Sequence, residues 1–167
     1  MEASLVGSEM CIRDRSEAAD ATVLMANAIR SAARDATSTG DPIRSADVLA
    51  IVHTLSWRYG DPARVVADRL GISPRRVVTT MGGNSPQSLV NSASQRILRG
   101  ELNCALLVGG ETWRSRMRAR KHGIDLDWPK VDPEVLEQEP PETWGHDLQM
   151  SNAEETELGL IMPVQVY

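Results

Sequence analysis

The residues best placed to do chemistry stand together at Gly83-Asn84-Ser85, inside the stretch Val77 to Glu111, VVTTMGGNSPQSLVNSASQRILRGELNCALLVGGE. A serine hydroxyl is a candidate nucleophile, and an asparagine amide can donate a hydrogen bond to a substrate. The free N–H groups of a helix that starts here would favour negative charge. Ser85 has no identifiable base within sequence reach, and it has an immediate use as a helix cap, with Pro86 at the first helical position. Asn84 also fits an ordinary turn. A second group is cationic: Arg114, Arg116, Arg118, Arg120 and Lys121 fall in a short helical segment from Trp113. Guanidinium groups recognise phosphate well. The alternative is a solvated face that pairs with the next stretch, Asp125 to Glu157, where eleven acidic residues face Lys130 alone; exposed pairs of that kind contribute little.

Three further residue types bear on chemistry. His53 lies in an apolar run, where a hydrogen-bonded core histidine is a commoner case than a base. Cys104 lies inside an apolar strand and fits packing. Trp57 and Tyr59 follow the end of a strand, where an α/β sheet would place a ligand groove; a hydrophobic lid on the sheet edge is the preferred reading. His122 and His146 match no motif.

The elements that must position these residues follow from periodicity. A helix is expected from Ser16 to Arg34, capped by Ser16, with Val23, Ala26, Ile29 and Ala33 on its apolar face. Ala46 to Leu55 is expected to be a strand buried on both faces. Asp61 and Pro62 open a helix from Ala63 to Leu70 that Gly71 terminates. Val77 to Thr80 is a short β-branched strand. A helix from Ser85 then buries Leu89, Ala93 and Ile97, with Val90 beside them, and stops at Gly100. Cys104 to Val108 is an apolar strand closed by Gly109-Gly110. A parallel βαβ unit is the economical architecture.

Strand, tight turn, helix ending in a basic residue plus glycine, and an apolar strand ending in a glycine pair: this order resembles the core of the thiolase superfamily. The chain is most similar to actinobacterial thiolase-like proteins of the acetyl-CoA acetyltransferase type in GGNSPQ, in LVGGETWRSR and in the terminal MPVQVY. The resemblance spans about Glu17 to Tyr167. It implies an α/β fold, a partial thiolase-like fold made of the N-terminal βαβαβαβ half, with a core over 16–111, the start of a loop domain over 112–157 and a return to the core over 158–167. It also implies lipid metabolism and acyl-CoA as ligand or substrate, with no tightly bound cofactor; the charge and composition of the chain fit an ordinary cytoplasmic protein. Arg114, Arg116 or Arg118 would then meet the coenzyme A phosphates. A homodimer, or an OB-fold protein, is the partner expected of such a chain.

One departure matters more than the match. The family's nucleophilic cysteine lies 17 residues before the glycine that corresponds to Gly100, and that position holds Gly83. The Gly83 amide would remain able to hold a thioester oxygen as it becomes an oxyanion, but no acyl-enzyme could form there. The resemblance thus leaves three readings: an acyl-CoA acyltransferase, a cysteine-less aldolase or lyase working with an OB-fold partner, and a non-catalytic acyl-CoA binder. The family's remaining functional residues belong to a C-terminal half, so the chain is expected to be truncated and inactive on its own. Its first fifteen residues, containing LVGSEMCIRD, resemble translated sequencing adapter and are excluded from fold reasoning together with Cys11.

Composition narrows the partners. At 167 residues the chain is about one domain long. A net charge of −5 argues against general nucleic-acid binding. Its two cysteines have no metal-like or disulfide spacing. No apolar run approaches a membrane span.

Overall fold

The computed structural model describes residues 19–36, 40–80 and 83–144. Helices and strands alternate along them: α1 (Ala21–Asp35), β1 (Val48–Ile51), α2 (Pro62–Leu70), β2 (Arg75–Val78), α3 (Ser85–Leu98), β3 (Ala105–Val108), α4 (Trp113–Lys121) and α5 (Pro133–Gln138). The strands form one parallel sheet in the order β2-β1-β3. Val48 lies opposite Arg75 and Ala105, and Ile51 opposite Val78 and Val108. This is an open α/β domain.

Alternation along β1 builds two cores. Leu49 and Ile51 pack with Met25 and Ile29 of α1 and with Ala63 and Val66 of α2. Val48 and Ala50 pack on the other face with Val77, Leu89, Ala93, Leu102 and Trp144. All four residues of β1 are buried, as expected of a central parallel strand covered on both faces.

The helix signals around Asp61 hold. Its side chain accepts the N–H of Arg64, Pro62 opens α2, and Gly71 ends it at φ 68°. Gly100, at φ 72°, likewise terminates α3 in the left-handed region that glycine occupies without strain. The α1 signal was misplaced. Asp20 caps this helix by accepting the N–H of Thr22, and the expected cap, Ser16, lies outside the described residues. Asp20 has a second reason to be where it is. Arg69 pairs with it at 2.9 Å, and the Tyr59 hydroxyl donates to it while accepting the N–H of Ala21 at 3.0 Å. Burial, and then the charge of Asp20, push the Tyr59 hydroxyl well above its usual range, so it stays a donor.

Each strand is four residues long, shorter than the runs that predicted it. The consequence reaches α3. Four strand residues span about 13 Å, whereas this helix of 14 residues is about 21 Å long. Leu89 and Ala93 therefore sit on the sheet, but Ile97 overhangs it and is 44% exposed, with Val90 at 46% and Leu98 at 86%.

Beyond α4 the chain returns across the α2 side of the sheet. Trp128 meets Trp57 edge-on at 5.3 Å, and the indole N–H of Trp57 donates to the Pro129 carbonyl. The Val131 N–H donates to the Tyr59 carbonyl. Tyr59 is itself a buried core residue, and the half-buried Trp57 is covered by the 128–131 segment. Within the described part of the acidic stretch, Glu139 meets Arg64 and Arg76, and Glu142 meets Arg75.

Candidate functional site

Three loops leave the carboxyl ends of the three strands and are bound to one another. The His53 N–H donates to Thr79 Oγ1, and the Val52 N–H to the Val108 carbonyl, both at 3.0 Å. Both oxygens of Glu111 are occupied, one by the N–H of Leu55 and the other by that of Ser56. Buried Ser56 accepts the Thr112 N–H through its hydroxyl at 3.2 Å. Glu111 therefore ties the exit of β3 to the exit of β1. Its carboxylate is a structural anchor here.

The glycine pair before it is explained by space. A Cβ on Gly109 would stand 3.2 Å from Val52 Cβ, and one on Gly110 would stand 3.3 Å from Met25 Cγ. β1 and α1 approach too closely for side chains at these two positions.

At the exit of β2, the three residues singled out from sequence separate into two environments. Gly83 and Asn84 are exposed, and a Cβ on Gly83 would meet nothing within 4 Å. Asn84, at φ −90° and ψ −3°, occupies the cap position of α3, and its side chain makes no capping hydrogen bond. Ser85 is fully buried inside the first turn, and its hydroxyl donates to the Thr80 carbonyl at 3.0 Å. The expected Ser85 cap is therefore corrected: one residue further into the helix, this side chain points back at β2. The proton of Ser85 is committed to a carbonyl, and among the described residues no base accepts it. Next to it, Thr80 Oγ1 is buried without a hydrogen-bond partner, the only such side-chain oxygen or nitrogen found among the described residues. Buried unpaired hydroxyls are costly, and this one stands at the amino end of a 14-residue helix.

His53 also needs correction. β1 ends two residues before it, so the side chain is exposed at the carboxyl end of the sheet instead of sitting in the core. Cys104 is half-buried at the opposite end of the sheet, with Sγ 3.5 Å from the Pro42 carbonyl. It cannot serve the turn before α3.

The arginines divide as helical spacing requires. Arg116 donates to the Leu55 carbonyl at 3.4 Å and lies over the Trp113 ring, which brings it to the exit of β1. Arg114 and Arg118, one turn apart, are exposed. His146 and Cys11 lie outside the described residues. Among the described residues, no group of three or more His, Cys, Asp or Glu is placed to hold a metal ion, and no helix is long and apolar enough to cross a membrane.

Sequence reasoning passed over two carboxylates that position loops, one at each end of the sheet. Glu111 was legible only as the residue after the glycine pair. Asp47, at the start of β1, accepts the N–H groups of Asn103 and Cys104, which hold its carboxyl below the usual range. Nothing in local sequence marks a contact across so many residues. Comparison with protein-family models, with curated proteins and with solved structures returned no match.

Proposed function

We propose that this chain is part of an acyl-CoA-handling protein of the thiolase superfamily, in which the turn before α3 holds a thioester carbonyl. The observation that carries the proposal is the conjunction at the exit of β2: open space at Gly83, an Asn84 side chain not used as a cap, and the unpartnered Thr80 hydroxyl at one helix N-terminus. The backbone N–H groups and the helix dipole there favour an oxygen that gains negative charge. Arg116, at the neighbouring exit of β1, supplies positive charge to the same end of the sheet. Phosphates of coenzyme A are the natural counterpart of Arg114, Arg116 and Arg118.

The role proposed is that of the acetyl-CoA acetyltransferase type with its nucleophile absent. A second reading gains from the locked hydroxyl of Ser85. With no acyl acceptor on the turn, polarising a thioester without forming an acyl-enzyme suits a lyase working with an OB-fold partner, or an acyl-CoA binder.

Calorimetric titration with acetyl-CoA, together with mass measurement of the protein, tests the proposal. The chain should bind acetyl-CoA and gain no acetyl mass. Asn84→Asp places a carboxylate where the thioester oxygen would lie; it should weaken binding several-fold while leaving the helix intact, since aspartate is itself a good cap. Absence of binding in the wild type, or equal binding by the variant, would sink the proposal.

A further inference from the structure

The open face of α4 carries a pattern that the core does not require. The helix is held by its other side, where Ala119 is buried and Ser115 and Arg116 are half-buried. Arg116 also donates to the Leu55 carbonyl at 3.4 Å. Trp113 and Met117, one turn apart, share the outward face and are 51% and 44% exposed. Leu55, beside Arg116, adds a third apolar side chain at 57% exposed. Cations flank this strip on both sides. At about 100° per residue, Arg120 falls on one side of Trp113 and Met117, and Lys121 and Arg114 fall on the other.

Positive charge is concentrated here against the balance of the chain. The nine residues of α4 hold four arginines and a lysine with no acid, in a protein of net charge −5. Among the described residues, Arg114, Arg120 and Lys121 form no ion pair. The ion-paired acids beyond α4 are engaged elsewhere. Glu139 and Glu142 clasp Arg64, Arg75 and Arg76 at the edge of β2, where Trp144 packs beneath the Arg96 guanidinium, 4.5 Å from the ring centre. The anions that would complement α4 are therefore not supplied by these groups. An indole and a thioether between cations suit a boundary between water and hydrocarbon: the ring settles at headgroup level while the charges stay among anionic headgroups. A peptide ligand would call for a groove or a free strand edge. The outer face of one helix offers neither, and a fluid surface needs neither.

We infer that the outer face of α4, with Leu55, docks the protein on an anionic lipid surface. Trp113 and Met117 enter the headgroup boundary, and Arg114, Arg120 and Lys121 meet the lipid phosphates. Apolar insertion and basic attraction are each weak at this size, so docking is reversible and needs both. The inference does not rest on the acyl-CoA reading, which uses neither the apolar strip nor Arg120 and Lys121. A failure to bind acetyl-CoA would leave it standing.

The test is flotation of the full chain with vesicles of phosphatidylglycerol and phosphatidylcholine in equal parts, against vesicles of phosphatidylcholine alone. Flotation separates lipid-bound protein from protein that merely aggregates. The wild type should float with the anionic vesicles at low salt, stay behind with the neutral ones, and be released by added salt. Trp113→Ser with Met117→Ser keeps every charge, and Arg120→Gln with Lys121→Gln keeps the apolar strip. Each pair should lower the bound fraction about tenfold. Ile97→Lys with Leu98→Glu removes an apolar patch from α3 instead and should float as the wild type does. Circular dichroism melts establish that all three variants are folded. A wild type that ignores anionic vesicles, binding that survives the loss of Trp113 and Met117, or an equal loss in the α3 variant would overturn the inference.

Discussion

Asp61 shows how much one side chain does in this chain. It is fully buried, caps α2 through Oδ1 to the Arg64 N–H, and holds Arg76 with Oδ2. Arg76 is only 18% exposed, so removing the carboxylate would strand a guanidinium that has little water. Asp61→Ala should lower stability by about 3 kcal/mol, the range for breaking a buried pair with loss of a cap. Asp61→Asn keeps an acceptor for the Arg64 N–H and should cost less. Urea denaturation of both variants measures the difference, and equal losses would remove the cap from the explanation. The glycine pair gives a second residue-scale contrast. Gly109→Ala meets the stiff, β-branched Val52 just past the end of β1, whereas Gly110→Ala meets a flexible methionine. The first should cost about 1–3 kcal/mol, as overpacking does, and the second less. The same melts decide it: a greater loss at Gly110 would mean that α1 is held more rigidly than β1.

At the scale of elements, what was legible in the sequence was local. Asp61-Pro62 with Gly71, and Gly100 after a basic residue, are signals whose physics is complete within a few residues, and α2 and α3 end where these signals place them. Asp20 in place of Ser16, and Asn84 in place of Ser85, stand at the cap positions because that choice was tertiary. Asp20 is fixed by Tyr59 and Arg69, and Ser85 by the Thr80 carbonyl. Of the candidate site, Gly83 and Asn84 were found where they were sought, at a turn between strand and helix. The lock on Ser85, the exposure of His53 and the loop tie through Glu111 depend on how far each strand runs before it leaves the sheet. Apolar runs overstate that length. The closing segment after α5 makes a prediction of its own. Arg75, by hydrogen bonding and by charge, holds the Glu142 carboxyl below the ordinary glutamate range, with the Trp144 indole N–H contributing. A carboxyl whose pKa is lower folded than unfolded stabilises above its unfolded value, about 4.3, and loses that contribution as pH falls through the folded one. Arg64 and Arg76 face Glu139 in the same clasp. Acidification below pH ~4 should release Trp144 from its site beside Arg96 before the sheet unfolds. Its fluorescence, in a variant with Trp57, Trp113 and Trp128 replaced by phenylalanine, would then change ahead of the loss of far-UV circular dichroism. Coincident transitions would show that the clasp and the core are one cooperative unit.

The described residues form a three-stranded sheet with a polar closure on one side. The edge of β2 is covered by Glu142, while β3 has no strand partner beyond β1 among the described residues. β3 reads Ala-Leu-Leu-Val, with no charge, no proline and no bulge, the devices that normally keep an edge from pairing with another chain. Large apolar side chains add to this: Leu98, Leu55, Trp113, Val90, Ile97 and Met117 are each at least 44% exposed. Two of them, Ile97 and Leu98, lie at the overhanging end of α3, where the short strands leave a long helix uncovered. A surface of this kind should drive concentration-dependent association, and the two sources can be separated. Ile97→Lys with Leu98→Glu charges the overhang without touching the sheet, and substitutions this exposed should change stability by no more than about 0.5 kcal/mol. If the overhang dominates, sedimentation velocity should show the double variant monomeric at concentrations where the wild type associates. If association persists at the same concentrations, the overhang is not its source and β3 is the next candidate, and a charge placed on that strand is the change that should abolish it.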